Sequence, residues 1–345
     1  MERMSSGKKW GQSPCGDSPR RFLAVIAIAS CAISGAARAE IAGLPCTAQP
    51  RYACPDAKDC DANARTFLGA ATETKSGRKF FLDYACDLKP GEKVAFILNL
   101  HGAGSIGNWQ RSYFPVVDLK EKYRLVVATP TALTDQPTRR WMPEADDAYL
   151  HAIVDRVIQE FGRENISTFW LAGHSQGGIT SRRLVCSDYF KGKVDGFLSL
   201  SGGRVGAAPA ANANPNTTVV PTSALQCDFS HIFAIGELEA SSATATDASE
   251  WATKYGCGKR VRKADIVDAQ RGYVTATDQS RGPAWGTTAR PGTAQVYEFT
   301  GCKDDHVVVD VVRMNKGHTE GLEPKITEQI VQYMLAAKGG KLKSQ

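Results

Sequence analysis

The chain has 345 residues, 42% of them hydrophobic, with 42 Lys+Arg against 36 Asp+Glu and ten cysteines. This is a globular composition, neither disordered nor collagen-like, and its 32 Gly and 16 Pro follow no repeat period, which excludes solenoids and coiled coils. The net charge of +6 sits mostly at the amino terminus, where Arg3, Lys8, Lys9, Arg20, Arg21 and Arg38 against Glu2 and Asp17 give +4, leaving +2 for the body, which has no basic stripe interleaved with aromatics and so no expected nucleic-acid partner.

The amino terminus has the form of an export signal. A basic segment ending at Arg20-Arg21 precedes the apolar run Phe22–Ile28, and Ala37-Arg38-Ala39 supplies the small-x-small pattern for cleavage before Glu40. Residues 1–39 therefore read as a signal peptide, and the apolar run is too short to span a bilayer. An alternative reading stays open, because Ile28-Ala29-Ser30-Cys31 resembles a lipobox, which would lipidate Cys31 and tether the chain to a membrane face. The expected location is secreted or periplasmic, with the tethered lipoprotein as the alternative. The Arg-Arg pair is also similar to a twin-arginine signal but lacks the spacer before Phe22-Leu23.

Cleavage before Glu40 leaves eight cysteines, Cys46, Cys54, Cys60, Cys86, Cys186, Cys227, Cys257 and Cys302, an even number suited to an oxidising compartment. Their spacing does not resolve the pairing, although the first four are close enough to staple the amino-terminal segment locally, and a Cys257–Cys302 bridge is expected as well. No Cys-x-x-Cys occurs and no cysteine stands at ligand spacing from a histidine, so no metal is expected.

Beyond this cysteine-rich segment, Lys79–Tyr84 and Val94–Leu100 read as strands, the second a continuous apolar run of the kind buried on both faces of a sheet. Arg124–Ala128 is another such run. In Asp146–Phe161, Leu150, Ile153, Val154, Val157 and Phe161 fall at helical spacing, and acidic residues occupy the first turn. Thr168–Ala172 returns to strand, Gln176–Phe190 to helix, and Val194–Leu200 and His231–Ile235 to strand. Two Gly/Pro/Ala/Thr-rich stretches, Ala207–Ser223 and Thr275–Thr293, interrupt this rhythm as long loops. The strand Val307–Met314 and a helix sharing Ile326, Ile330 and Met334 on one face close the chain. Alternation of strand and helix predicts an α/β fold in one domain, with a mostly parallel central sheet covered by helices on both faces.

The chemistry concentrates at Gly173-His174-Ser175-Gln176-Gly177-Gly178, between the strand Thr168–Ala172 and the helix from Gln176. A serine on a tight strand-to-helix turn projects its hydroxyl above the sheet, and the N–H after it points at a developing oxyanion. Ala103-Gly104-Ser105-Ile106-Gly107 offers a looser match, but the Asn108–Arg111 stretch that follows lacks a helical apolar face, so Ser105 is the lesser choice. His101-Gly102-Ala103-Gly104 fits better as the loop carrying a second oxyanion donor, giving Gln176 and Ala103 as the expected pair. A base is required, because a hydroxyl is a poor nucleophile at neutral pH. Of the six histidines, His101 and His174 lie in glycine motifs, His151 in a helix, and His231 and His306 at strand starts. Only His318 follows the last strand on a short polar loop, where the chain order Ser, acid, His puts the base. The acid is expected after His231–Ile235, with Glu239 favoured over Glu237, and Asp247 and Asp305 as further options.

On Leu100-His101-Gly102, Asp146-Asp147 after Trp141, the Gly173–Gly178 turn, Trp251 with Cys257, Gly301-Cys302 and Gly317-His318, the chain from Ser76 to Met334 resembles the α/β-hydrolase superfamily. Within it, the similarity is to secreted esterases of the polyhydroxybutyrate-depolymerase and feruloyl-esterase types. In that family a Gly-x-x-Asp carries the acid, so counting from Gly236 points to Glu239, with Glu where the family has Asp. The resemblance implies 40–75 as a cysteine-rich segment and 76–340 as a catalytic domain. It also implies acyl transfer from a carboxylic ester without cofactor. Trp109, Trp141 and Trp285, in expected loops, are candidates to pack the acyl or aromatic group. Two rival readings are a serine peptidase of the prolyl-oligopeptidase type, for which no propeller domain is present, and a non-catalytic binding module on the same fold, against which Ser175 and His318 both stand.

Overall fold

A computed structural model describes residues 40–41, 44–46, 71–133, 138–205, 225–239, 248–273, 281–286 and 288–337. The expected signal peptide with Cys31, the cysteines Cys54 and Cys60, Asp247 and the stretch Ala207–Ser223 lie outside the described residues.

A short ribbon pairs β1 (Glu40–Ile41) with β2 (Leu44–Pro45). The remaining strands are β3 (Ala71–Thr72), β4 (Lys79–Tyr84), β5 (Val94–Leu100), β6 (Leu125–Pro130), β7 (Ile166–His174), β8 (Gly196–Leu200), β9 (Ser230–Gly236), β10 (Arg260–Arg262), β11 (Ile266–Asp268), β12 (Gly292–Phe299) and β13 (Val308–Arg313). They form one sheet in the order β10-β12-β13-β9-β8-β7-β5-β6-β4-β3, with β11 pairing β12. The six central strands, β13-β9-β8-β7-β5-β6, are parallel, and β4 and β12 flank them antiparallel.

The central strands are buried along nearly their whole length because both faces are covered, and alternate residues serve opposite layers. On one face Phe96, Leu98, Phe169 and Leu171 pack with Leu150, Ile153, Val154 and Val157 of α3 (Pro143–Phe161) and Leu184 of α4 (Gln176–Leu184). On the other, Ala95, Ile97, Trp170 and Ala172 pack with Trp109 and Tyr113 of α1 (Gly107–Tyr113) and with Ile326, Ile330 and Met334 of α6 (Pro324–Ala336). Two shorter helices, α2 (Lys120–Tyr123) and α5 (Glu250–Lys254), complete the described set. A mostly parallel sheet, helices on both faces and a strand–serine–helix turn on a central strand make this the α/β-hydrolase fold, as expected from the sequence.

Some boundaries differ from expectation. The helix after Ser175 ends at Leu184 rather than Phe190, because the chain turns there into the Cys186–Cys227 bridge. The strand β12 begins at the last two residues of the expected loop Thr275–Thr293 and runs on through Phe299, a stretch given no element from sequence because only Ala294, Val296 and Phe299 of it are deeply buried. Asn108–Arg111 belongs to helix α1. Six of its seven residues are buried, so it has no polar face to betray a period. Three disulfides join described residues, Cys46–Cys86, Cys186–Cys227 and the expected Cys257–Cys302.

Candidate active site

The carboxyl ends of β7, β8, β9 and β13 lie side by side, and each delivers one part of the site. At the end of β7 the backbone of Ser175 takes φ 51° and ψ −118°, a conformation costly for a residue with a side chain. Close packing holds it there. A Cβ on Gly173 would lie 2.3 Å from the Gly177 carbonyl carbon, and one on Gly177 would lie 2.3 Å from the Leu100 carbonyl oxygen, so only glycines let the start of α4 descend onto β5 and β7. The Ser175 N–H continues the sheet by donating to Leu200 O at 2.8 Å.

The carboxylate that meets His318 comes from the turn after β9. Glu239 Oε2 lies 2.6 Å from His318 Nδ1, and both side chains are mostly buried. Its other oxygen, Oε1, accepts from the Gly236 N–H at 2.8 Å and the Ser201 hydroxyl at 2.6 Å. Glu237 turns away to accept the Asn315 N–H at 2.7 Å, which separates the two glutamates between which the sequence left the choice. Asp305 lies before β13, at the opposite end of that strand from the His318 loop.

His318 sits on the loop after β13, with its N–H donating to Ala284 O at 3.0 Å and its ring against Trp285, centroids 5.0 Å apart. A carboxylate accepts only, so Nδ1 carries the proton and Nε2 presents a lone pair. Beneath the loop lies a buried charge cluster. Lys316 Nζ is 2.7 Å from Glu323 Oε1, Arg313 Nε donates to Glu323 Oε2 at 3.2 Å, and Arg313 also binds the carbonyls of Glu320 and Gly321, each at 2.7 Å. Burial would raise the Glu323 pKa, but Arg313 and Lys316 outweigh it and hold the carboxyl below its ordinary value.

His174, the residue before Ser175, couples the two halves. Burial, with His318 adding to it, drives its pKa well below the ordinary value, so the ring is neutral, and its Nε2–H donates to His318 O at 2.8 Å. Its Nδ1 has no hydrogen-bond partner among the described residues. The ring packs on Tyr113 at 4.1 Å, on His318 at 4.7 Å and on Trp109 at 5.2 Å between centroids.

The loop after β5 lies against the serine turn, where a Cβ on Gly102 would stand 2.7 Å from His174 Nδ1 and 3.2 Å from Ser175 Cβ. His101 is buried, and burial lowers its pKa to about 3, so the neutral ring accepts from the Ala132 N–H at 3.0 Å and donates from Nδ1 to Gly102 O at 2.7 Å. Its carbonyl accepts the Trp141 indole N–H at 2.8 Å. The Gln176 side chain exchanges two hydrogen bonds with the Trp141 backbone, both 3.0 Å, and so clamps the loop carrying Trp141 to the first turn of α4. Ala103 is exposed on the rim of this loop. Asp146 supports the same region, accepting the Met142 and Leu133 N–H groups and pairing with Arg78 at 2.7 Å. Ser105 itself has no left-handed backbone, and its hydroxyl is buried without a hydrogen-bond partner among the described residues.

Of the three tryptophans, Trp285 flanks His318 and is half-buried, with Arg281 stacked over its ring at 3.3 Å. Trp109 corrects the expectation of a loop: it lies on α1, stacked 5.0 Å from Tyr113, and packs beneath His174. Trp141 lies in a loop as expected but is buried, holding His101 in place rather than facing solvent. His151 stacks on Tyr189, His231 accepts the Val205 N–H, and His306 stacks on Tyr255, all apart from Ser175. Three participants were missed from sequence: Ser201, Tyr113 and the structural part of His174. The one signal available was that Ser201-Gly202-Gly203 ends the strand next to the serine turn.

No protein-family model matches the chain, and no curated protein does. Among solved structures it is similar to an acetyl xylan esterase from Aspergillus awamori, at 10% identity and a TM-score of 0.48, covering 75% of this chain and 94% of that one. It is also similar to an esterase from Thermogutta terrifontis with propionate bound, at 12% identity and a TM-score of 0.34, covering 50% and 73%. A third is Est1E from Butyrivibrio proteoclasticus with ferulic acid bound, at 12% identity and a TM-score of 0.31, covering 47% and 76%.

Proposed function

We propose that the protein is an exported serine esterase acting through an acyl-enzyme, with Ser175 as nucleophile, His318 as base and Glu239 as acid. The observation that carries this reading is the 2.6 Å contact of His318 Nδ1 with Glu239 Oε2, two strands away from a serine held at φ 51°. Ser175 Oγ attacks the ester carbonyl while its proton passes to His318 Nε2, and Glu239 stabilises the imidazolium. The N–H groups of Gln176 and Ala103 receive the oxyanion, aided by the positive end of α4. The tetrahedral adduct collapses as His318 returns the proton to the leaving alcohol. Water then gives His318 a proton and attacks the acyl carbon, and the acid departs as Ser175 recovers its hydrogen.

Residues 1–39 act as the export signal in this proposal and 76–340 as the catalytic domain. The three disulfides among the described residues fit an extracellular or periplasmic destination. The substrate classes are hydroxyalkanoate polyesters or oligomers, and hydroxycinnamoyl or acetyl esters of polysaccharide, with Trp285 beside His318 as the surface for the acyl or aromatic group.

The test is turnover of short p-nitrophenyl esters, methyl ferulate, acetylated xylan and amorphous polyhydroxybutyrate by the mature protein, with a peptide amide as comparison and Ser175→Ala as control. Ester turnover lost in the variant supports the reading and ranks the substrates. Folded protein inert on every ester refutes it.

A further inference from the structure

The acid of the triad is a glutamate held by more than its histidine. Three donors converge on its carboxylate, the Gly236 N–H and the Ser201 hydroxyl on Oε1 and His318 Nδ1 on Oε2. The Ser201 proton is committed to Glu239. Tyr113 is buried, and burial raises its pKa. The same tyrosine packs its ring on His174 at 4.1 Å and accepts the Leu322 N–H at its carbonyl at 2.8 Å, while His174 holds His318 O. A chain of contacts thus runs from Ser201 through Glu239, His318 and His174 to Tyr113.

Ser201 occupies this place at a backbone cost. Its φ is 53°, in the left-handed region that a glycine adopts without strain, and glycines follow it at 202 and 203. Backbone conformation alone would therefore favour glycine at 201, and the hydroxyl is what a glycine cannot supply. A glutamate side chain has one more rotatable bond than an aspartate, so its carboxylate needs a second anchor to stay aligned with the imidazole.

We infer that Ser201 is a positioning residue that fixes the Glu239 carboxylate against His318. The inference rests on the triad proposed above, and its test separates the two. In Ser201→Gly the strain is relieved and only the hydroxyl is lost, so melting temperature is retained while kcat falls by about tenfold or more, the value of a hydrogen bond to a charged group. KM stays within about twofold, because no contact to bound ester is removed.

A second readout does not depend on turnover. The His318 Nδ1 proton, assigned by its loss in His318→Ala, is expected as a strongly downfield ¹H resonance in the wild type, and it shifts or broadens in Ser201→Gly. Unchanged kcat together with an unmoved resonance overturns the inference. Should the wild type hydrolyse no ester, the esterase reading falls, and the resonance alone decides whether Ser201 positions the pair.

Discussion

The two sides of the site are held by different forces. Ser175 is fixed by backbone close approach, with Gly173 and Gly177 letting α4 sit on β5 and β7, and no charge takes part. His318 is fixed from below by buried charges, Arg313, Lys316, Glu320 and Glu323, all at most 2% exposed. A steric device tolerates almost no added atom, whereas an electrostatic one tolerates shape changes but not the loss of a partner. The contrast teaches why the proposed nucleophile can be recognised from a short motif and the proposed base cannot. Close approach demands glycine at set positions, while a charge cluster can be assembled from residues scattered over a strand end and the loop after it.

Breaking each device in turn sharpens this comparison. The largest effect is expected from Glu323→Gln, which strands Arg313 and Lys316 in the interior and lowers unfolding free energy in urea by about 3–5 kcal/mol. On the steric side, Gly177→Ala forces a Cβ against the Leu100 carbonyl and is expected to cost about 3 kcal/mol, with loss of ester turnover exceeding the loss of stability.

Next comes pH. His101 and His231 have folded pKa values lowered by burial to about 3, and burial also drives His174 well below its ordinary 6.5. A depressed folded pKa means the unfolded chain binds more protons, so stability from these groups is complete above the unfolded pKa and is lost as pH falls toward the folded values. Each contributes a slope of up to about 1.4 kcal/mol per pH unit below pH ~6.5, measurable by denaturant melts between pH 7 and 5. The smallest effect is Arg183→Ala, which removes the bidentate pair with Asp147 at 2.6 and 2.7 Å joining α3 to α4. Both side chains are partly exposed, and the expected cost is at most about 1 kcal/mol.

What could be read from sequence follows the same division. The continuous apolar runs of β5 and β6 and the heptad-like spacing in α3 announce their structure, because burial on two faces or one leaves a clear period. Helix α1 is buried all round and β12 is half-polar, and neither leaves one. The order of strands put His318 and Glu239 within the same few candidates, but Glu237 and Glu239 are separated by their partners, His318 and the Gly236 N–H for Glu239 and the Asn315 N–H for Glu237, contacts with no local signature. Ser201 was invisible for a related reason: its partner Glu239 is 38 residues away, and its own neighbours read as a Gly-rich turn. The Cys186–Cys227 bridge spans 41 residues and is fixed only once α4 stops at Leu184.

The central claim is that Ser175 is an activated nucleophile served by His318. Its most direct test is reaction of the folded mature protein with a fluorophosphonate, followed by peptide mass spectrometry, alongside His318→Ala. The account predicts one phosphonylated residue, Ser175, in the wild type and almost none in the variant. A label on Ser105 or another serine, or equal labelling of Ser175 without His318, would contradict it.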